Sequence, residues 1–219
     1  MPCVNAEGEK RIAAEAAAEL VADGMTVGLG TGSTVAHLLP ALAARELEIR
    51  CVATSPRTEA AARAAGLEVE SFDGPRALDR LDIAIDGTDQ VAADGWLIKG
   101  GGGAHTREKI VAAAAERFVV IADSTKTVES LRPPVPLELH PFGLAATLRE
   151  IGSVELRRGA EPTPDGGVLA DYAGPIRDPV LLAVQFSATP GVVQHGLFPP
   201  GLVSHVLIGR GGEVERREL

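Results

Sequence analysis

Apolar residues fall in short blocks along the chain, and the spacing inside each block predicts the elements. Over 6–22, Ile12, Ala13, Ala16, Ala17, Leu20 and Val21 recur in steps of three and four, the signature of an amphipathic helix that Asp23-Gly24 ends. Met25–Leu29 reads as a short strand, followed by Gly30-Thr31-Gly32-Ser33-Thr34 and a helix through Leu38, Leu39 and Leu42. Strands at 49–53 and 67–69 bracket an alanine-rich helix at 58–65, and 74–81 is a connection with a helical turn. Asp82–Ile85 is a buried strand, Leu97-Ile98 a second apolar run, 106–116 a helix, and 118–122 a near-continuous apolar strand. Strand and helix in alternation predict an α/β fold: a Rossmann-like parallel sheet with helices on both faces.

The pattern changes at Pro133-Pro134-Val135-Pro136, which reads as a boundary. Beyond it come shorter elements: helices near 143–150 and 179–185, and strands near 153–157, 168–170 and 191–196. This predicts a small α+β domain over 131–204. Val203–Ile208 is apolar again, so residues 205–219 are expected to rejoin 1–130 in the first domain.

Composition narrows the function classes. A chain of 219 residues with 45% hydrophobic content can bury a sizeable core, which aliphatic residues must fill because aromatics are only 3%. Net charge of −9 and a pI near 5.1 argue against a nucleic-acid partner, yet leave room for a small phosphorylated ligand that needs only a few local cations. Cys3 and Cys51 are too few for a disulfide framework, and a reduced cytoplasm is the expected setting. No apolar run approaches the roughly 20 residues of a membrane span. The five histidines show no metal spacing, and no metal is expected.

Candidate chemistry gathers between Asp82 and Lys109. Asp86 and Asp89, on a turn around Gly87, can hold sugar hydroxyls, share a proton or bind a cation; alternatively they cap their own turn. Lys99 precedes Gly100, Gly101, Gly102 and Gly103, and an ammonium beside bare amides suits an anion or a developing enediolate, where the bland alternative is a flexible connection. Glu108, in a first helical turn, is either a base or an ordinary acid favoured by the helix dipole. Arg107 and Lys109 read as surface or structural charges. Lys126, just past a strand end, either meets phosphate or caps its turn, and Lys10 either reaches the glycine turn or is solvated. The strand, glycine turn and helix around Gly30–Thr34 match a phosphate cradle. A P-loop would need Lys before the hydroxyl residue, and a dinucleotide fingerprint would need G-x-G-x-x-G, where Gly28, Gly30 and Gly32 give G-x-G-x-G-S, and an acid after the second strand; a simple tight turn is the remaining reading.

Several stretches, in order along most of the chain, resemble the type A ribose-5-phosphate isomerase family: GLGTGST (28–34), TSPRTEAAARAAGL (54–67), DIAIDGTDQV (82–91), LIKGGGGAHTREKIVA (97–112), VVIADSTK (119–126) and PGVVQHGLF (190–198). The resemblance implies a cofactor-free aldose–ketose isomerase of the non-oxidative pentose phosphate pathway that interconverts ribose 5-phosphate and ribulose 5-phosphate. It also implies a ferredoxin-like second domain and a homodimer or homotetramer. By position, Glu108 matches the base that moves a proton between C1 and C2. Thr31, Gly32, Ser33 and Thr34 match a substrate loop. Asp86, Gly87, Thr88, Asp89, Lys99, Gly100, Gly101 and Gly102 match segments around the sugar. Lys126 and Lys10 match substrate-contacting lysines. Asp86 and Lys99 are the expected aids to ring opening and enediolate stabilisation. Thr88 and Gln90 depart from the family's DGADE, Thr163–Gly167 from its TDNGN turn, and Gln194 from a common glutamate. A non-catalytic sugar-phosphate sensor and a related deaminase or CoA transferase are the competing readings, against which the intact GGGGAHTREK weighs.

Overall fold

The computed structural model describes residues 5–75 and 77–219. The chain divides into two compact units, one of residues 1–88, 107–127 and 201–219, the other of 89–106 and 128–200.

The first unit is built on a seven-stranded sheet. Its strands are β1 (Thr26–Leu29), β2 (Arg50–Ala53), β3 (Glu68–Glu70), β4 (Leu81–Gly87), β7 (Ala115–Asp123), β14 (His205–Arg210) and β15 (Glu213–Glu218), in the order β15-β14-β7-β4-β1-β2-β3. Neighbours from β3 to β14 run parallel, and β15 closes the edge as an antiparallel hairpin. The alternation of strand residues places Val27, Leu29, Ile83, Ile85, Val119, Ile121 and Leu207 in one core with Ala13 and Ala17 of α1 (Ala6–Ala18) and Leu38, Leu39 and Leu42 of α2 (Val35–Ala43). Each Leu or Ile buried there contributes about 1.5–3 kcal/mol. Gly28 faces the other way, where a Cβ would lie 2.4 Å from Val111 of α4 (His105–Ala114), so helices cover both faces of the sheet. The helix α3 (Pro56–Ala64) starts on Ser55, whose Oγ accepts the Thr58 N–H at 3.1 Å, with Pro56 in the first turn.

The second unit holds β9 (Val135–Leu139), α5 (Leu144–Ile151), β10 (Val154–Leu156), β11 (Val168–Tyr172), α6 (Pro179–Ala188) and β12 (Val192–His195). The β-α-β-β-α-β order with an antiparallel sheet β10-β11-β9-β12 is ferredoxin-like. A small sheet, β13-β6-β5-β8, is formed by β5 (Gln90–Ala92), β6 (Leu97–Ile98), β8 (Thr127–Val128) and β13 (Leu197–Phe198).

Several expectations shift. Residues 89–106 group with the second unit rather than with 1–130, because β5 and β6 pair with each other and β6 with β13, away from the large sheet. The first helix stops at Ala18, where Arg45 donates to the carbonyls of Ala18 and of Val21 (2.6 Å) and so caps the helix end. The helix expected to reach 116 ends at Ala114, since Ala115 already pairs with Leu81 in the sheet. In the connection at 74–81 no helix forms among the described residues; Ala77 N–H meets Gly74 O at 3.2 Å in a single turn, and Arg76 lies outside them. The segment 205–210 does rejoin the large sheet, between β7 and β15.

Candidate active site

In the first unit the glycine turn and Asp86 meet at the carboxyl ends of parallel strands, where sheets of this kind place ligands. Asp86 is not on a turn: β4 runs through Gly87, and Asp86 is its penultimate residue, 3% exposed. Its Oδ1 accepts the Thr31 N–H at 3.0 Å and the Gly87 N–H at 2.7 Å. Gly30 makes this possible. A Cβ there would lie 1.9 Å from Asp86 Cγ and Oδ1, so the acid fills the space a side chain would take.

Thr31 Oγ1 sits among hydroxyls, 2.9 Å from Thr54 Oγ1, 2.8 Å from Ser55 Oγ and 3.1 Å from Thr58 Oγ1, while Thr58 Oγ1 donates to Gly30 O at 3.0 Å. The Thr31 hydroxyl therefore braces the turn, a role that the sequence reading, which gave the whole loop to substrate, did not assign. Gly32 and Ser33 are exposed and Thr34 is buried. The helical ladder begins with Ala36 N–H on Gly32 O at 3.1 Å, so the amides of Ser33, Thr34 and Val35 come before it, the position from which helix-start amides meet anions.

Lys126 closes a single 3-10 turn, Ser124–Lys126, that follows β7. Asp123 caps this turn by accepting the Thr125 N–H at 3.0 Å. Glu9, on α1, holds it from the other side: its Oε2 accepts the Ser124 N–H (3.0 Å) and Oγ–H (2.6 Å), and its Oε1 accepts the Gly211 N–H (3.0 Å). Burial by itself would raise the Glu9 carboxyl. The bonds from Ser124 and Gly211, with Arg210 near, outweigh burial and hold it below the ordinary glutamate value. Lys10, the next residue, bonds Glu7 at 2.6 Å, an exposed pairing of the kind that contributes little and exchanges readily. Glu108 lies in the first turn of α4, 3% exposed, where the helix dipole favours negative charge. Lys109 beside it is half-buried, not a plain surface charge, and burial pushes its ammonium down to about 7.

In the second unit, Asp89 does not share a turn with Asp86 but holds the glycine loop: its Oδ2 accepts the Gly101 N–H at 2.7 Å, and its own N–H meets Ile98 O at 2.8 Å. Lys99 is 2% exposed, with Nζ 5.5 Å from the Phe198 ring centroid and its N–H on Gly196 O at 2.9 Å. The loop after it is fitted rather than slack. A Cβ on Gly100 would lie 2.6 Å from the His105 ring, on Gly101 2.7 Å from Asp89 Oδ1, and on Gly103 2.6 Å from Leu169. Gly100 and Gly103 also hold φ of 101° and 76°, which favour glycine.

Two further groups that escaped the sequence reading hold this loop and the helix start that follows it. Arg157 donates from Nη1 to Gly100 O (2.9 Å) and Gly101 O (3.2 Å). Buried Glu138, 1% exposed, accepts from Thr163 Oγ1 at 2.6 Å and from Thr106 Oγ1 at the start of α4. The altered turn at Thr163–Gly167 thus bonds a buried carboxylate. Among the described residues, no three His, Cys, Asp or Glu side chains are grouped as a metal ion would need.

The model of the family described as ribose 5-phosphate isomerase A (phosphoriboisomerase A) matches residues 50–213. A ribose-5-phosphate isomerase A from Halobacterium salinarum is 43% identical, with 98% of this chain and 97% of that protein covered. The chain belongs to the ribose 5-phosphate isomerase A family. Solved members superpose closely. Ribose 5-phosphate isomerase A from Neisseria gonorrhoeae has a TM-score of 0.91 at 32% identity, over 99% of each chain. A D-ribose-5-phosphate isomerase in complex with phospho-erythronic acid has a TM-score of 0.91 at 33% identity, over 98% of this chain and all of that one (100%). No helix among the described residues of this ribose 5-phosphate isomerase A family member is long and apolar enough to cross a membrane.

Proposed function

We propose that the protein interconverts ribose 5-phosphate and ribulose 5-phosphate, with Glu108 as the base. The observation that carries the role of Glu108 is its place: a buried carboxylate in the first turn of α4, a few residues after a glycine loop in which Gly100, Gly101 and Gly103 are closely packed. In the open-chain aldose, Glu108 takes the proton from C2, the C2–H electron pair forms the enediolate, and the same carboxyl returns the proton to C1. The hydroxyl proton at O2 passes to O1, which completes the ketose. Lys99 and the amides of Gly100 and Gly102 stabilise the oxyanion, a term often larger than the base itself, while the Gly101 N–H is taken by Asp89. Asp86 assists ring opening or proton relay, a reading supported by its hold on the Thr31 and Gly87 amides. Asp89 and Thr88 take part through the sugar-side backbone. The phosphate belongs with Gly32–Thr34, Lys126 and Lys10, and anchoring it fixes C1 and C2 over the base.

Bound phospho-erythronic acid in a relative supports a phosphorylated polyol chain as the ligand class, and the family's isomerase identity disfavours the sensor reading. Turnover of ribose 5-phosphate by the wild-type chain, and its loss by about 10²–10⁴-fold in a folded Glu108→Gln variant, tests the assignment. Near-normal turnover in that variant would remove Glu108 from the base role.

A further inference from the structure

We propose that Arg157, oriented by Asp171, is a positioning residue for the reaction: it straps the loop Lys99–Gly103 into the shape in which its amides serve the substrate. The inference deepens the functional reading above and rests on that loop facing the reacting sugar.

The guanidinium divides its donors between two tasks. Nε and Nη2 grip Asp171 of β11 through both carboxylate oxygens, at 2.7 Å each. Nη1 is then aimed at Gly100 O (2.9 Å) and Gly101 O (3.2 Å). The arginine side chain is 17% exposed and the aspartate 29%, so the pair is screened less than a surface bridge. Arg157 follows β10 directly, and its N–H lies on Leu169 O at 3.0 Å, so Asp171 stands on the ferredoxin-like sheet and Arg157 at the end of one of its strands, not on a free loop.

A trans peptide points its C=O and N–H in opposite directions. The peptide between Gly100 and Gly101 is therefore gripped at both ends, its carbonyl by Arg157 and its N–H by Asp89 Oδ2 at 2.7 Å. The next peptide has its carbonyl on Arg157 as well, which turns the Gly102 N–H away from the strap. Glycine peptides flip more easily than any others, so a run of four needs such an external hold to present its amides in one arrangement. Lysine at 157 cannot replace the hold, because one ammonium lacks the fork that meets a carboxylate and two carbonyls at once.

The test compares wild type with Arg157→Lys, Arg157→Ala and Asp171→Asn, each checked for a native thermal transition. Steady-state turnover of ribose 5-phosphate is measured beside hydrogen exchange in the peptide covering 97–104. The expected result for Arg157→Lys and Asp171→Asn is amide exchange in the loop faster by about tenfold or more. In the same variants kcat falls by about tenfold or more while KM moves less than about threefold. Unchanged exchange overturns the strap. Faster exchange with unchanged kcat overturns the loop's part in the reaction, and with it the proposal, while leaving Glu108 to its own test. Where Arg157→Ala does not fold, the two conservative variants decide the matter.

Discussion

Glu9→Gln removes one charge from a buried side chain and leaves its shape. The three bonds that the carboxylate accepts make the cost calculable. A glutamine has one acceptor oxygen. If that oxygen faces Ser124, it keeps two bonds in neutral form and sets its NH2 against the Gly211 N–H, donor to donor. If it faces Gly211, two Ser124 donors are lost. In the better case, one buried donor goes unsatisfied, at about 1–3 kcal/mol, and two charge-assisted bonds weaken by about 1 kcal/mol each. The sum is about 3–5 kcal/mol, which for a chain of this size lowers Tm by about 6–20 °C. No slack exists for a backbone shift, since a Cβ on Gly209 would already lie 2.0 Å from Glu9 O.

The charge also sets a pH signature. Glu9 is held below the ordinary value of 4.5 in the fold, so the unfolded chain binds the extra proton first as pH falls. The stabilisation is complete above pH 4.5 and is lost as pH drops through the lowered folded value. Thermal unfolding of wild type and Glu9→Gln at pH 7, 5 and 4 should show a gap that is widest at pH 7 and narrows toward pH 4. Because Lys126 ends the same turn, the variant should also raise KM for ribose 5-phosphate by about threefold or more, with kcat nearly kept. A Tm within about 2 °C of wild type at pH 7, or a gap independent of pH, refutes the reasoning.

Two other outcomes follow from close contacts. Gly30→Ala puts a methyl 1.9 Å from Asp86 Cγ and must displace that acid from the Thr31 and Gly87 amides; kcat/KM for ribose 5-phosphate should fall by about 10²-fold, and retention within about threefold would show that Asp86 placement is immaterial. Cys51 is fully buried in β2, and burial, with the Glu68 charge near, pushes its thiol up to about 12, so iodoacetamide at pH 8 should label the Cys51 peptide only after unfolding; rapid labelling of the native protein, read by mass spectrometry, contradicts this.

The parallel sheet was legible because its strands are buried on both faces and read as apolar runs, as in Phe118–Ala122. The strand β15, Glu213-Val214-Glu215-Arg216-Arg217-Glu218, was not legible for the opposite reason. It is an edge strand, and an edge stays soluble and unpaired with other chains by carrying charge, which erases the apolar signal. The site divides the same way. Glu108, Lys99 and the glycines are contiguous in the chain and could be read as a group. Glu9, Glu138 and Arg157 act on segments tens of residues or more away, and no local pattern announces a charged residue that a fold will bury.

Gln90 carries this argument one step further. As a departure from the glutamate usual in the motif, it reads in sequence as a charge lost beside the sugar. In the structure its amide bonds one residue twice, Nε2 donating to Arg132 O at 2.8 Å and Oε1 accepting the Arg132 N–H at 2.9 Å. A carboxylate has only acceptors and would face the Arg132 carbonyl with like polarity, so glutamine is the side chain that can complete both bonds. The neutral residue thus ties β5 to the segment before β9 as a strand partner does. The two aspartates that the proposed function sets around the sugar are fixed by backbone amides, Asp86 by Thr31 and Gly87 and Asp89 by Gly101, and neither bond depends on the residue at position 90 being acidic.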